Sequence, residues 1–291
     1  MASPERQLQN SGKGTEMAGA EKDRERALAA SGDELTALLH HHDASVLLAL
    51  LDNPSLEETQ LCILLERKNL PAEILEEVAR RKPMLKSYCV KRGLVFHPRT
   101  PRLVTLRLLR DLYLMDLVQL TLIPGIPTEL RRNAEDQLIS RLPQLPLGQK
   151  IALARRGPGR LAGALLLEGH SQIVTIALDN AYLTEAQVLK VLSREKIAPG
   201  VVKAIAQHRK WSLTYNVRLA LVRHAATPLA TVLGYLPELT VSDLRELASP
   251  GIVPESLRRY LQAEVQRRIR VGEKSERKED TSGPPTASKE N

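Results

Sequence analysis

Apolar residues recur along this chain every three to four positions, the period that lays a single stripe along a helix. Leu130, Ala134, Leu138 and Leu142 step by four, and so do Leu257, Leu261, Val265 and Ile269. Helix start signals punctuate the same stretches. Ser55-Leu56-Glu57-Glu58 and Thr184-Glu185-Ala186-Gln187 have the form of a capping box, in which a hydroxyl and a later side chain satisfy orphan amides reciprocally. Thr100-Pro101 and Thr227-Pro228 place an N-cap before a first-turn proline, where the missing N–H is no loss. Pro71, Pro127, Pro199 and Pro254 also stand where helices should begin. One start follows the next after only a few helical turns, which predicts short antiparallel helices in layers and not the long rods of a four-helix bundle.

The pattern is written twice. Slid against itself at an offset of 127, the sequence places His97, Thr100 and Pro101 on His224, Thr227 and Pro228. The same register sets Leu106, Leu109 and Leu112 on Leu233, Leu236 and Leu239, and Asp116-Leu117 on Asp243-Leu244. Further on, Leu130-Arg131-Arg132 meets Leu257-Arg258-Arg259; further back, Leu51-Asp52-Asn53 meets Leu178-Asp179-Asn180. A one-residue insertion near Lys196 and a deletion near Lys210 complete the match. The chain therefore reads as homologous halves at 44–141 and 171–268, with a linking helix pair at 142–170. An extra copy is tolerated where each unit touches mainly its neighbours, as in a stack of helices.

Composition supports helix: aromatic residues are 3%, with Phe96 the one Phe and Trp211 the one Trp, whereas sheet interiors draw on aromatic and β-branched residues. The repeat region spans 33–271. The segment 1–32 reads as a charged tail in which 21–30 could form a helix, and 272–291 as a disordered one. Both tails are nearly balanced in charge, so the net charge of +8 falls on the folded part. Cys62 and Cys89 each lie among apolar neighbours and read as reduced thiols acting as small hydrophobes. No stretch reaches the roughly 20 apolar residues of a membrane span, and Met1 to Ala30 lacks the apolar stretch of a secretory signal. A cytoplasmic location is the default expectation.

The segments His97-Pro98-Arg99-Thr100-Pro101-Arg102-Leu103 and His224-Ala225-Ala226-Thr227-Pro228-Leu229, with Asp52-Asn53-Pro54 as a weaker echo, resemble the HEAT/armadillo-type repeats, particularly the bacterial leucine-rich-variant-like ones. Those repeats run Asn or His, one or two residues, Thr-Pro, then a leucine-rich helix. The likeness covers 44–268. It implies an all-α fold, a right-handed α-superhelix (α-solenoid) of short antiparallel helix pairs, and service as a binding scaffold. Some leucine-rich-variant relatives add a Cys-rich iron–sulfur segment, which this chain lacks, so that chemistry is not carried over and no cofactor is expected.

Several groups invite chemistry. His40-His41-His42 contains common metal ligands, but consecutive helical residues point about 100° apart and cannot converge on one ion; no metal is expected. His97 and His224 are equivalent, and repetition favours a loop-stapling role over a unique site. Trp211 aligns with Met84 and is read as core, its N–H at the edge. Arg131-Arg132 and Arg258-Arg259 recur in first turns of equivalent helices, and Arg155-Arg156-Gly157-Pro158-Gly159-Arg160 forms a basic turn. Equivalent residues of a solenoid line one ridge, so these seven arginines are candidates for binding nucleic acid or another polyanion. Against that, Arg131 has Glu135 one turn later as an internal partner, and base stacking calls for more aromatics.

The basic turn lacks the Gly-Lys-Ser/Thr ending of a phosphate loop, and no Gly-x-Ser-x-Gly, Cys-x-x-Cys or His-Glu-x-x-His occurs. The expectation is a non-enzymatic scaffold binding a protein through its repeat surface, with polyanion binding as the first alternative. A DNA-repair glycosylase of helical-repeat fold is the second, poorly served by Trp211 and Tyr215 as the aromatics of a cleft.

Overall fold

The structure, a computed structural model, describes residues 21–194 and 196–280, with side chains to residue 270. The disorder expected of 1–20 and 281–291 lies outside the described residues. Those described are all-helical, with no strand among them. They divide into two compact units, one ending at Ser140 and the other starting at Arg141.

The first unit holds α1 (21–29), α2 (Gly32–Leu38), α3 (Ala44–Leu51), α4 (Glu58–Glu66), α5 (Ala72–Arg80), α6 (Tyr88–Phe96), α7 (Arg102–Leu108), α8 (Leu114–Leu122) and α9 (Thr128–Arg141). The second holds α10 (Leu147–Arg156), α11 (Gly159–Leu166), α12 (Ser171–Leu178), α13 (Glu185–Leu192), α14 (Pro199–Gln207), α15 (Tyr215–Arg223), α16 (Leu229–Tyr235), α17 (Val241–Leu247) and α18 (Glu255–Asp280). Helix α18 thus continues beyond residue 271, where the sequence places the start of a tail. Within each unit a helix packs on its successor and on the one after that. In the first unit α3 meets α5 and α4 meets α6; in the second α10, α12 and α14 form one row and α11, α13 and α15 another.

Helix starts follow the same offset of 127, from Gly32 of α2 against Gly159 of α11 through to Thr128 of α9 against Glu255 of α18. The correspondence includes α11, which the sequence comparison assigns to a linker. It is also unbroken between Ala72 and Pro199 and between Met84 and Trp211, so the backbone needs no gap near Lys196. Pro71 is the N-cap of α5, whereas Pro199 is the first residue inside α14.

Three expected caps are corrected. Pro101 and Pro228, not Thr100 and Thr227, occupy the N-caps of α7 and α16. A residue before proline is held extended, which leaves the threonine hydroxyl one position too early for the first-turn amides. In α4 the capping box is formed by Glu57 with Gln60, and Ser55 N instead donates to Asn53 Oδ1 at 2.7 Å. The Thr184–Gln187 box forms as its pattern predicts. Cys62 and Cys89 are also not buried hydrophobes. They form a disulfide between α4 and α6 with Cα atoms 6.1 Å apart, Cys62 half-buried and Cys89 exposed.

Short helices end often, and each end leaves carbonyls without intrahelical partners. Here side chains from about one helix pair later supply the donors. Asn53 Nδ2 donates to Ala27 O and Ala30 O at 2.7 and 2.8 Å, and Asn180 Nδ2 to Ala154 O and Gly157 O at 2.7 and 3.0 Å. Both asparagines are buried. Arg67 donates to Leu39 O, Arg81 to Leu51 O and Arg107 to Ala79 O. In the second unit Trp211 Nε1 donates to Leu178 O at 2.9 Å, Tyr235 OH to Ala206 O at 2.9 Å, and Arg268 to Leu236 O and Leu239 O. Trp211 is 2% exposed, a core residue as its sequence context predicts.

Replacing Asn180 by Ala strands two buried carbonyls, and its expected cost is about 3 kcal/mol in urea unfolding; a loss below about 1 kcal/mol would show that water replaces the amide. The Cys62–Cys89 bond closes a loop with a sequence separation of 27, for which chain entropy alone gives on the order of 3 kcal/mol. Intact-mass measurement of the oxidised chain is expected to find no free thiol, and reduction to lower the unfolding midpoint. Two titratable thiols in air-oxidised protein would contradict the pairing.

Candidate binding surfaces

The seven arginines do not share one environment. Arg131 and Arg258 turn inward: each is half-buried, and each has a buried Nε without a hydrogen-bond partner. Arg131 Nη2 reaches Ile123 O at 3.4 Å, and Arg258 Nη1 pairs with Glu255 at 2.5 Å. Arg160, half-buried in the first turn of α11, is also engaged. Arg132, Arg155, Arg156 and Arg259 are exposed. The Gly-Pro-Gly of the basic turn has a packing explanation. A Cβ on Gly159 would run into Tyr182 O, and one on Gly157 would lie 2.5 Å from Leu153 O, so only glycine permits these approaches.

The histidines also resolve by position. His40, His41 and His42 follow the end of α2; His41 Nδ1 accepts from Asp43 N at 3.1 Å, and its Nε2 lies 3.8 Å from Asp23. No group of three or more His, Cys, Asp or Glu able to hold a metal occurs among the described residues. His97 is buried at the end of α6. Its Nδ1 accepts from Arg99 N at 3.1 Å, so Nε2 carries the proton and donates to Arg67 O at 2.7 Å. Burial pushes this imidazole below its ordinary value, with Lys68 and Arg99 adding to the shift against the pull of the Arg67 carbonyl. It is neutral. His224 Nδ1 accepts from Ala226 N in the same way at 3.2 Å.

Two surfaces escape a reading of the sequence. The first is a cleft of about 370 Å³ in the first unit, between the end of α6, α7, and the turn from α8 into α9. Val95, Phe96, Leu120, Ile123, Ile126 and Leu130 give it an apolar wall. Its polar members are His97, Thr100, Thr105 and the ion pair of Arg102 with Glu129. Thr105 Oγ1 reaches Pro101 O at 3.4 Å, but Thr100 Oγ1 is buried with no hydrogen-bond partner. Its counterpart in the second unit, Thr227 Oγ1, donates to Leu221 O at 2.6 Å.

The second surface lies in the second unit, where Leu233, Leu236, Pro237, Tyr260 and Ala263 line a groove between α16 and α18. Leu229, Leu233 and Tyr260 are exposed. Glu264 and Arg267 form a charged rim. Hydrogen bonds from Arg267 and Arg268 hold the Glu264 carboxyl down to about 2, overcoming a smaller opposing effect of burial. It therefore stays ionised throughout the neutral range.

The threonines at 100 and 227 make opposite predictions under the same change. Thr100→Val removes an unsatisfied buried hydroxyl and is expected to raise the unfolding free energy by about 1 kcal/mol, whereas Thr227→Val removes a made bond and is expected to lower it by about 1 kcal/mol. Urea unfolding of the two variants reads the sign directly. Shifts of one sign would mean that the hydroxyl environments do not differ.

Against protein-family models, curated proteins and solved structures, the chain gives no match.

Proposed function

We propose that this chain is a non-enzymatic scaffold that binds another protein through the surface of its helical repeats. The observation that carries the reading is the groove between α16 and α18, where exposed Leu233 and Tyr260 stand beside a fixed charged rim. Tyrosine and apolar anchors ringed by charge are the composition of interface centres. As part of the same reading, the two units are copies of one ancestral block, each folded as a run of the right-handed α-solenoid that the sequence resemblance implies. Supporting this are the packing of each helix on its next-but-one neighbour and the bonds repeated in the shared register, such as Tyr88 with Asp116 and Tyr215 with Asp243. A cytoplasmic location belongs to the proposal too. The described residues contain no helix long and apolar enough to cross a membrane.

One observation favours a second reading, in which a polyanion is bound. Arg132, Arg155, Arg156 and Arg259 are exposed, and exposed guanidinium groups are suited to phosphate.

In-cell crosslinking with the full chain as bait tests the first reading. A captured protein is expected at near-stoichiometric yield, with at least tenfold less for a Leu233→Glu, Tyr260→Ala double variant of unchanged helicity. Equal capture by both would remove the groove from the interface. If nucleic acid alone is recovered, and replacing the four exposed arginines by Gln abolishes heparin retention at low salt, the second reading takes over.

A further inference from the structure

The disulfide joins two helices whose counterparts in the second unit pack without one. Cys62 lies midway along α4 and Cys89 in the first turn of α6, with Cα atoms 6.1 Å apart. In the shared register their places fall on Leu189 of α13 and Asn216 of α15. Exposure matches position by position: Cys62 and Leu189 are half-buried, whereas Cys89 and Asn216 are exposed. Helix α13 packs on α15 as α4 packs on α6, although the second unit has no cysteine. The two joints also share a polar tie. Ser87 Oγ donates to Glu58 Oε1 at 2.5 Å, and Asn216 Nδ2 donates to Oε1 of Glu185, the equivalent carboxylate, at 2.7 Å. Leu61, Leu64 and Leu65 of α4 and Val90, Leu94 and Val95 of α6 are buried. A Cβ on Gly93 would lie 2.9 Å from Leu65 Cδ1, so close approach of the two helices is built into α6. Apolar contact and a hydrogen bond thus hold this joint, and the sulfur bridge is an addition to it.

We propose that the bridge is a thiol–disulfide exchange site, with a low-molecular-weight thiol as co-reactant and Cys89 as the residue modified. The incoming thiolate attacks Cys89 Sγ. A bond forms between the two sulfurs as the Cys62–Cys89 bond breaks, and Cys62 leaves as a thiolate that takes a proton from water. A second thiolate then attacks the thiol sulfur of this mixed disulfide, which releases the small disulfide and leaves Cys89 as a thiol. Two thiols have given up two electrons, and the protein disulfide has accepted them. The small disulfide runs the sequence backwards. Access sets the order of attack, because a nucleophile must reach the sulfur it displaces from; Cys89 is the exposed member of the pair, and Cys62 is half-buried on a packed helix. Exchange changes one surface position and removes a tether, while the buried leucines and valines of the joint stay in place. The site belongs to the first unit and does not rest on the proposed protein partner.

Reduced glutathione is the probe, added without denaturant to the air-oxidised full chain, with alkylation, intact mass and peptide mapping as readouts. The expected result is opening of the bond through an intermediate with glutathione on Cys89 and an alkylated Cys62, at an unchanged far-UV circular-dichroism spectrum. Glutathione disulfide then restores the bridge. Cys62→Ser is expected to take up glutathione from its disulfide at Cys89, and Cys89→Ser to do so at Cys62 about tenfold more slowly. The proposal is overturned if the bond opens only in urea, since the bridge would then be a fixed part of the fold. It also fails if the adduct maps to Cys62, or if helicity falls as the bond opens. Two free thiols before any reductant is added would contradict the pairing itself and remove the proposal with it.

Discussion

Carbonyl groups at the ends of short helices set the terms for this molecule. Most of its helices have seven to ten residues, and the last four carbonyls of any helix lack an intrahelical partner. Such ends are a large share of the backbone, and many lie against packed neighbours where an unmet acceptor is expensive. Donors therefore come from a helix pair further on: Asn53, Arg67, Arg81, His97 and Arg107 in the first unit, and Asn180, Trp211, Tyr235 and Arg268 in the second. Each of these bonds ties one pair of helices to an earlier one. The leucine stripes provide the burial; the reaching side chains fix how neighbouring layers sit.

That arrangement also explains where the positive charge goes. Arg67, Arg81, Arg107 and Arg268 spend donors on backbone carbonyls within the fold. Arg131 and Arg258, equivalent by sequence, are half-buried in their own units. The basic balance of the chain is thus partly a structural resource, and a count of arginines overstates what a polyanion would meet. Arg132, Arg155, Arg156 and Arg259 are what solvent sees of the seven candidates.

The two units meet several of the same demands and differ in the turn before the last helix of each. Asn53 and Asn180 make matching pairs of bonds, and Tyr88 and Tyr215 each accept an amide hydrogen bond at 3.0 Å while donating to an aspartate. In the turn before the last helix the glycine stands at 125 in one unit and at 251 in the other, one place earlier in the shared register. In the second unit Ile252 packs against the cluster beneath it, and in the first Gly125 holds that position in the register.

The sequence by itself determined the helical class, the recurrence that sets His97 on His224, the Thr184–Gln187 cap, the burial of Trp211 and the structural role of His97, since each follows from local periodicity or from chemistry repeated at equivalent places. Other features it misassigned. Thr-Pro reads as a cap followed by a helix, although the ring sets the proline itself at the boundary; Ser55 is drawn to Asn53, which leaves the cap to Glu57; and the gap placed near Lys196 is absent from the backbone. Tertiary structure alone decided that Cys62 meets Cys89, that one arginine of each pair faces inward, that Gly159 lies against the Tyr182 carbonyl, and that Gly125 lines a cleft. These depend on which residues from distant turns share a few ångströms of space. Periodicity along a chain names the buried face of a helix, but not what is laid against it.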